Sequence, residues 1–151
     1  MSATTRRVLP PVWLLLALLA SYALDRWWPI ARLWNAPWKY LGFVPLVVGS
    51  LMALTAGGAF RRAGTPVVPL QSSTGLVTSG WFRQTRYPMY LGLRLVLSGV
   101  AMIDGTLGAF LPVPVFAGIL HFRFIRGEEA FLERIFGEEY RRYRATVRRW
   151  I

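Results

Sequence analysis

Four blocks of apolar residues constrain this chain more than any other feature. They cover residues 8–24, 40–60, 90–103 and about 106–125. A helix rises ~1.5 Å per residue, so ~20 residues cross the hydrocarbon core of a bilayer. The second and fourth blocks have that length. The first and third are shorter and need flanking aromatics or a thinned bilayer. Between the third and fourth lies "IDGTLG", whose Asp104-Gly105 step is a turn signal, so these two blocks form a helical hairpin. Pro45, Pro112 and Pro114 fall within the blocks, and kinks are expected there. The expected fold is an all-α integral membrane protein of one domain, with about four transmembrane helices.

Composition supports a membrane setting. Hydrophobic residues make up 54% of the chain, yet its net charge is +11. The charge is segregated. With four spans, fourteen arginines share one side with the N-terminus, the 61–88 loop and the tail, and only Arg26, Arg32 and Lys39 face the other side. The positive-inside rule then places both termini in the cytoplasm, in a protein of the inner, cytoplasmic membrane. Positive charge beside apolar spans reflects orientation and contact with anionic headgroups, so membrane lipids rather than nucleic acid are the expected partners. A second reading of the first block is a signal peptide, because Arg6 and Arg7 precede a short apolar core and "ASYA" is a loose cleavage site. No cysteine is present, and His121 is the only histidine. Thiolate chemistry and a multi-histidine metal site are thereby excluded.

Two polar regions carry the candidate chemistry. The loop over 61–88 is long, rich in Gly, Pro, Ser and Thr, and holds Trp81, Phe82 and Tyr87. Loops of that length are functional or disordered. Interfacial anchoring is the plainer reading of its aromatics. The tail over 128–147 reads as one amphipathic interfacial helix, with Leu132, Phe136, Tyr140 and Tyr143 in a stripe and arginines opposite. Glu128 sits one turn before Leu132, beside Glu129. Two adjacent carboxylates at a membrane surface suit either a helix N-terminus or a cationic ligand.

"GWFRQTRYPMYLG" (residues 80–92) resembles the pattern Gly-Pro-Tyr-x-x-x-Arg-His-Pro-x-Tyr-x-Gly. "GEEAFLERIFGEEYRRY" (residues 127–143) resembles Glu-Glu-x-x-Leu-x-x-x-Phe-Gly-x-x-Tyr-x-x-Tyr. Both patterns belong to the integral-membrane methyltransferases that include isoprenylcysteine carboxyl methyltransferase and the phospholipid methyltransferases. "GTPVVP" (residues 64–69) is similar to the segment that often precedes the first pattern. The resemblance implies S-adenosylmethionine as cofactor, bound on the cytoplasmic side. By position it assigns Arg86, Pro88, Tyr90, Glu128 and Glu129 to that cofactor. Arg83 is a further candidate for the cofactor carboxylate, in a forked ion pair. Trp81 and Tyr90 suit the adenine or the sulfonium. Tyr87 stands where the family has histidine. It offers a hydroxyl that does not titrate near neutrality.

Arg94 lies one turn beyond Tyr90 on the same helical face. An arginine within a span is costly unless it is paired or solvated. Tyr90 and Arg94 are therefore the catalytic candidates, with Arg94 orienting an acceptor carboxylate or phosphate. Snorkelling to the rim is the plain alternative for Arg94, and helix packing for His121. The expected activity is methyl transfer to a lipophilic, membrane-partitioned acceptor, with a carboxylate favoured because no persuasive general base is present. A non-catalytic membrane protein, or an enzyme directed at amines or thiols, is the alternative. These motifs encode neither the acceptor's identity nor the oligomeric state.

Overall fold

Proline opens three of the helices. It stands in the first turn of α1 (Pro10–Trp27), α3 (Pro88–Asp104) and α5 (Pro112–Ile119), where a missing N–H costs no intrahelical bond. Between them lie α2 (Phe43–Arg62), led in by a 3-10 turn over Trp38–Gly42, and the short α4 (Leu107–Phe110). α6 (Arg126–Phe136) and α7 (Glu138–Thr146) complete the order. This computed structural model describes residues 9–64 and 75–151; Arg6, Arg7 and most of "GTPVVP" lie outside them. Among the described residues there is no β-strand.

Two helices are long and apolar enough to cross a membrane, Trp38–Arg62 and Leu107–Phe136. Only 17% and 39% of their apolar windows are buried inside the protein, less than the core helices of a water-soluble fold bury. Val44, Val47, Leu51, Leu54, Val115 and Phe122 face outward together with Leu15, Leu16 and Leu19 of α1. A continuous apolar exterior of this kind fits hydrocarbon rather than water. α1 and α3 are shorter, at 18 and 17 residues.

α2 and α3 pack against one another through glycine. A Cβ added to Gly49 would lie 2.5 Å from the Gly92 carbonyl oxygen, and one added to Gly42 would lie 2.5 Å from that of Gly99. The reciprocal distances, from Gly92 and Gly99, are 2.6 Å each. The two backbones therefore touch at two points seven residues apart along each segment. Close approach of this sort requires small residues.

The turn after α3 forms as the Asp-Gly signal requires. Gly105 takes φ +78 and its N–H returns to the Ala101 carbonyl, a left-handed helix end that glycine favours. Thr106 caps α4 by accepting from the Ala109 N–H. Its hydroxyl donates to Asp25 Oδ1 at 2.7 Å, and Ser21 donates to the Ala109 carbonyl at 2.9 Å, which ties α1 to this end of the hairpin.

Two expectations change. The tail drawn as one helix over 128–147 is two helices, broken where Gly137 adopts φ +50. The apolar stripe continues across the break, which is why periodicity alone does not reveal it. The fourth block also does not stop at residue 125: it continues into α6 as one 30-residue helix. A π-helical segment over Leu120–Ile125 lies in its middle. The wide turn alters the face presented by every residue that follows, and π segments recur at functional sites.

Candidate functional site

Pro88 fixes the start of α3 and holds Tyr87 outside the helix, at φ −130 and ψ 57. From there α3 presents Tyr90 and Arg94 on one face. Tyr87 and Tyr90 stack with ring centroids 5.8 Å apart. Both join a core of Leu93, Leu97, Phe116, Leu120 and Phe124. The π segment brings α6 alongside, and the Tyr90 hydroxyl donates to Glu128 Oε1 at 2.6 Å.

The two adjacent glutamates have different surroundings. Glu129 is 12% exposed in its side chain and is held by two arginines. Arg86 Nη1 is 3.1 Å from its Oε1, and Arg149 reaches Oε1 through Nε at 3.0 Å and Oε2 through Nη2 at 2.8 Å. The Arg149 contact is the forked pairing that a guanidinium makes best. Glu128 accepts only from Tyr90, and no cation among the described residues pairs with it. A half-buried carboxylate with one neutral donor is an open place for a positive charge.

Arg86 is anchored more than once. Its Nη1 also donates to the Tyr140 hydroxyl at 3.2 Å, and its backbone N–H donates to the Arg148 carbonyl at 3.0 Å. Its Nε is buried with no hydrogen-bond partner, as is the Tyr87 hydroxyl. Burial pushes the Tyr87 hydroxyl far above its ordinary pKa, so it stays protonated and able to donate. Burial likewise pushes Tyr143 up to about 12. Its proton is therefore retained for the 2.6 Å bond to the Phe82 carbonyl, which joins α7 to the loop.

The remaining candidates lie elsewhere. Arg83 is exposed on the 3-10 turn Gly80–Arg83, with no side-chain ion pair or hydrogen bond among the described residues. The geometry thus separates it from Arg86, although the sequence offers both. Arg94 is half-buried, with its guanidinium 4.6 Å from the Trp150 ring centroid. Trp81 donates to Thr55 at 3.0 Å and lines a cavity of about 900 Å³ between the end of α2 and residues 75–84. Arg62, Phe82 and Gln84 share that cavity, whereas Arg86, Tyr90 and Glu128 do not line it. His121 lies edge-on to Phe122 in the π segment. Sequence reasoning missed Thr85, Arg149 and Trp150. Thr85 donates to the Arg149 carbonyl at 2.9 Å. Arg149 is one of six arginines between residues 127 and 151, and no periodicity singles it out.

The unpaired carboxylate, the orphaned guanidinium nitrogen and the orphaned hydroxyl converge on one corner. A carboxylate beside a guanidinium offers one group of each sign to a ligand that carries both an ammonium and a carboxylate. Outward-facing apolar helices with a polar corner at one end fit a helical protein of the membrane. A family model described as phospholipid methyltransferase matches residues 38–139, about two thirds of the chain, and the chain belongs to that family. Membership implies methyltransferase activity. The chain is also similar to an uncharacterized protein of Haemophilus influenzae, with 43% identity over 63 residues; the match covers 42% of this chain and 100% of the relative. No solved structure matches.

Proposed function

We propose that the chain is an S-adenosylmethionine-dependent methyltransferase that acts on a lipophilic acceptor drawn from the membrane. The observation that carries this reading is Glu128, held by Tyr90 and lacking a counter-cation, one residue from the Arg86–Glu129 pair. Glu128 would take the cofactor's ammonium, while Arg86, with Nε still free, would take its carboxylate. Tyr87 and Tyr90 supply aromatic surface and one unused hydroxyl, and Pro88 fixes their position. Glu129 orients the guanidinium rather than meeting the ligand. The cofactor, once bound, supplies an electrophilic methyl on a sulfonium. The chain's own residues then contribute orientation and the exclusion of water.

Arg94 is the proposed contact for an anionic acceptor, a carboxylate above all. Its guanidinium has no acid partner among the described residues, and Trp150 covers one face of it. Four membrane-crossing helices, with the 61–88 loop and α6–α7 at the cytoplasmic face of the inner membrane, put the corner within reach of a soluble cofactor. Transfer of labelled methyl from S-adenosylmethionine to native membrane extract, with identification of the labelled product, tests the activity. In that assay Arg94→Ala should lose most turnover while cofactor affinity, measured by calorimetry, stays at the wild-type value. Full turnover in Arg94→Ala removes its role, and absence of any labelled product removes the enzyme reading.

A further inference from the structure

The segment after α7 is pinned to the corner at four points. The Arg148 carbonyl accepts from the Arg86 N–H, and the Arg149 carbonyl accepts from Thr85 Oγ1. The Arg149 side chain forks onto Glu129, and Trp150 lies over Arg94 while packing on the Tyr87–Tyr90 core. The family match ends at residue 139, so Arg148, Arg149 and Trp150 lie outside it.

We infer that Arg149 is a positioning residue of the methyl-donor pocket, acting through Glu129; this rests on the reading of the corner as the cofactor site. Three guanidinium contacts reach Glu129, and Arg149 supplies two of them. Arg86 therefore gives Glu129 only one nitrogen, Nη1. Without Arg149, Arg86 is the one cation left at that carboxylate. It closes onto Glu129 and is withdrawn from the ligand. An exposed pair would matter little. Here the Glu129 side chain is only 12% exposed and that of Arg149 31%, and the hydrogen bonds to the Arg148 and Arg149 carbonyls hold the fork in place. The arrangement is a supporting shell that fixes the residue touching the ligand.

The test is calorimetric binding of S-adenosylmethionine and S-adenosylhomocysteine to the detergent-solubilised full chain. Arg149→Ala should weaken both by roughly tenfold to a hundredfold, as expected for loss of charged hydrogen bonds, in a chain that keeps its helical content by circular dichroism. Arg149→Lys should recover part of the affinity, because it returns the charge without the fork. Arg148→Ala, which removes an exposed tail charge and keeps the backbone carbonyl, should bind like wild type. Wild-type affinity in Arg149→Ala overturns the inference, and so does an equal loss in Arg148→Ala. Should Arg149→Ala fail to fold, Arg149→Lys decides, and wild-type affinity there is the overturning result. A wild-type chain that binds neither nucleoside overturns the parent reading and this inference together. Normal wild-type binding that depends on Glu128 but not on Arg149 overturns this inference alone.

Discussion

One helix, α3, serves two regions built on opposite rules. On one face Gly92 and Gly99 meet Gly49 and Gly42 in a seam with no side chain between the backbones. On the other face Tyr90 and Arg94 meet Glu128 and Trp150 in a corner of charges and rings. The seam is satisfied by shape and leaves no room. The corner keeps a carboxylate without a cation and two buried polar atoms without partners. Natural proteins break the rules of polar satisfaction chiefly at functional sites. The contrast sets a seam that serves stability against a corner whose polar groups stay unsatisfied, which is what the proposed ligand site requires.

The largest expected effect comes from breaking the seam. Gly49→Val drives its Cβ into the Gly92 carbonyl, 2.5 Å away, and should cost ~3 kcal/mol or more. Thermal unfolding in detergent should show little folded protein, and a near-normal melting temperature would mean the seam does not carry the fold. Next comes Glu128→Gln. It keeps an acceptor for the Tyr90 hydroxyl but removes the charge. Cofactor affinity by calorimetry should fall by about 2 kcal/mol or more. The melting temperature of the ligand-free protein should hold or rise, since a half-buried unpaired charge has been removed. A fall in stability with binding intact would reverse the roles of the two regions. The smallest effect belongs to Arg83→Ala, which should change cofactor affinity by less than ~0.5 kcal/mol because the side chain is exposed and unpaired. A loss comparable to that of Glu128→Gln would extend the corner to the 3-10 turn.

The sequence made the helical blocks and the Asp104-Gly105 turn legible because apolar runs and turn residues act locally. That Arg86, Tyr90 and the glutamate pair meet in one corner was legible through the resemblance, which couples two motifs some forty residues apart. The glycine register was not legible: Gly42, Gly49, Gly92 and Gly99 acquire meaning only when two helices lie antiparallel. The division of labour between Glu128 and Glu129 was hidden for the same reason. It depends on Arg149, distant in sequence and one of many tail arginines. The break at Gly137 did have a local signal, a glycine followed by Glu138 and Glu139. The stripe from Leu132 to Tyr143 runs across that glycine and masked it.

The paired glycines also bear on how the protein can move. Two backbone contacts, seven residues apart along each helix, work like two bolts through a pair of planks. Sliding or twisting at one drives main chain into main chain at the other. α2 and α3 are consequently braced as a single board, against which α1 rests only side chains, Trp13, Leu14 and Leu18 among them.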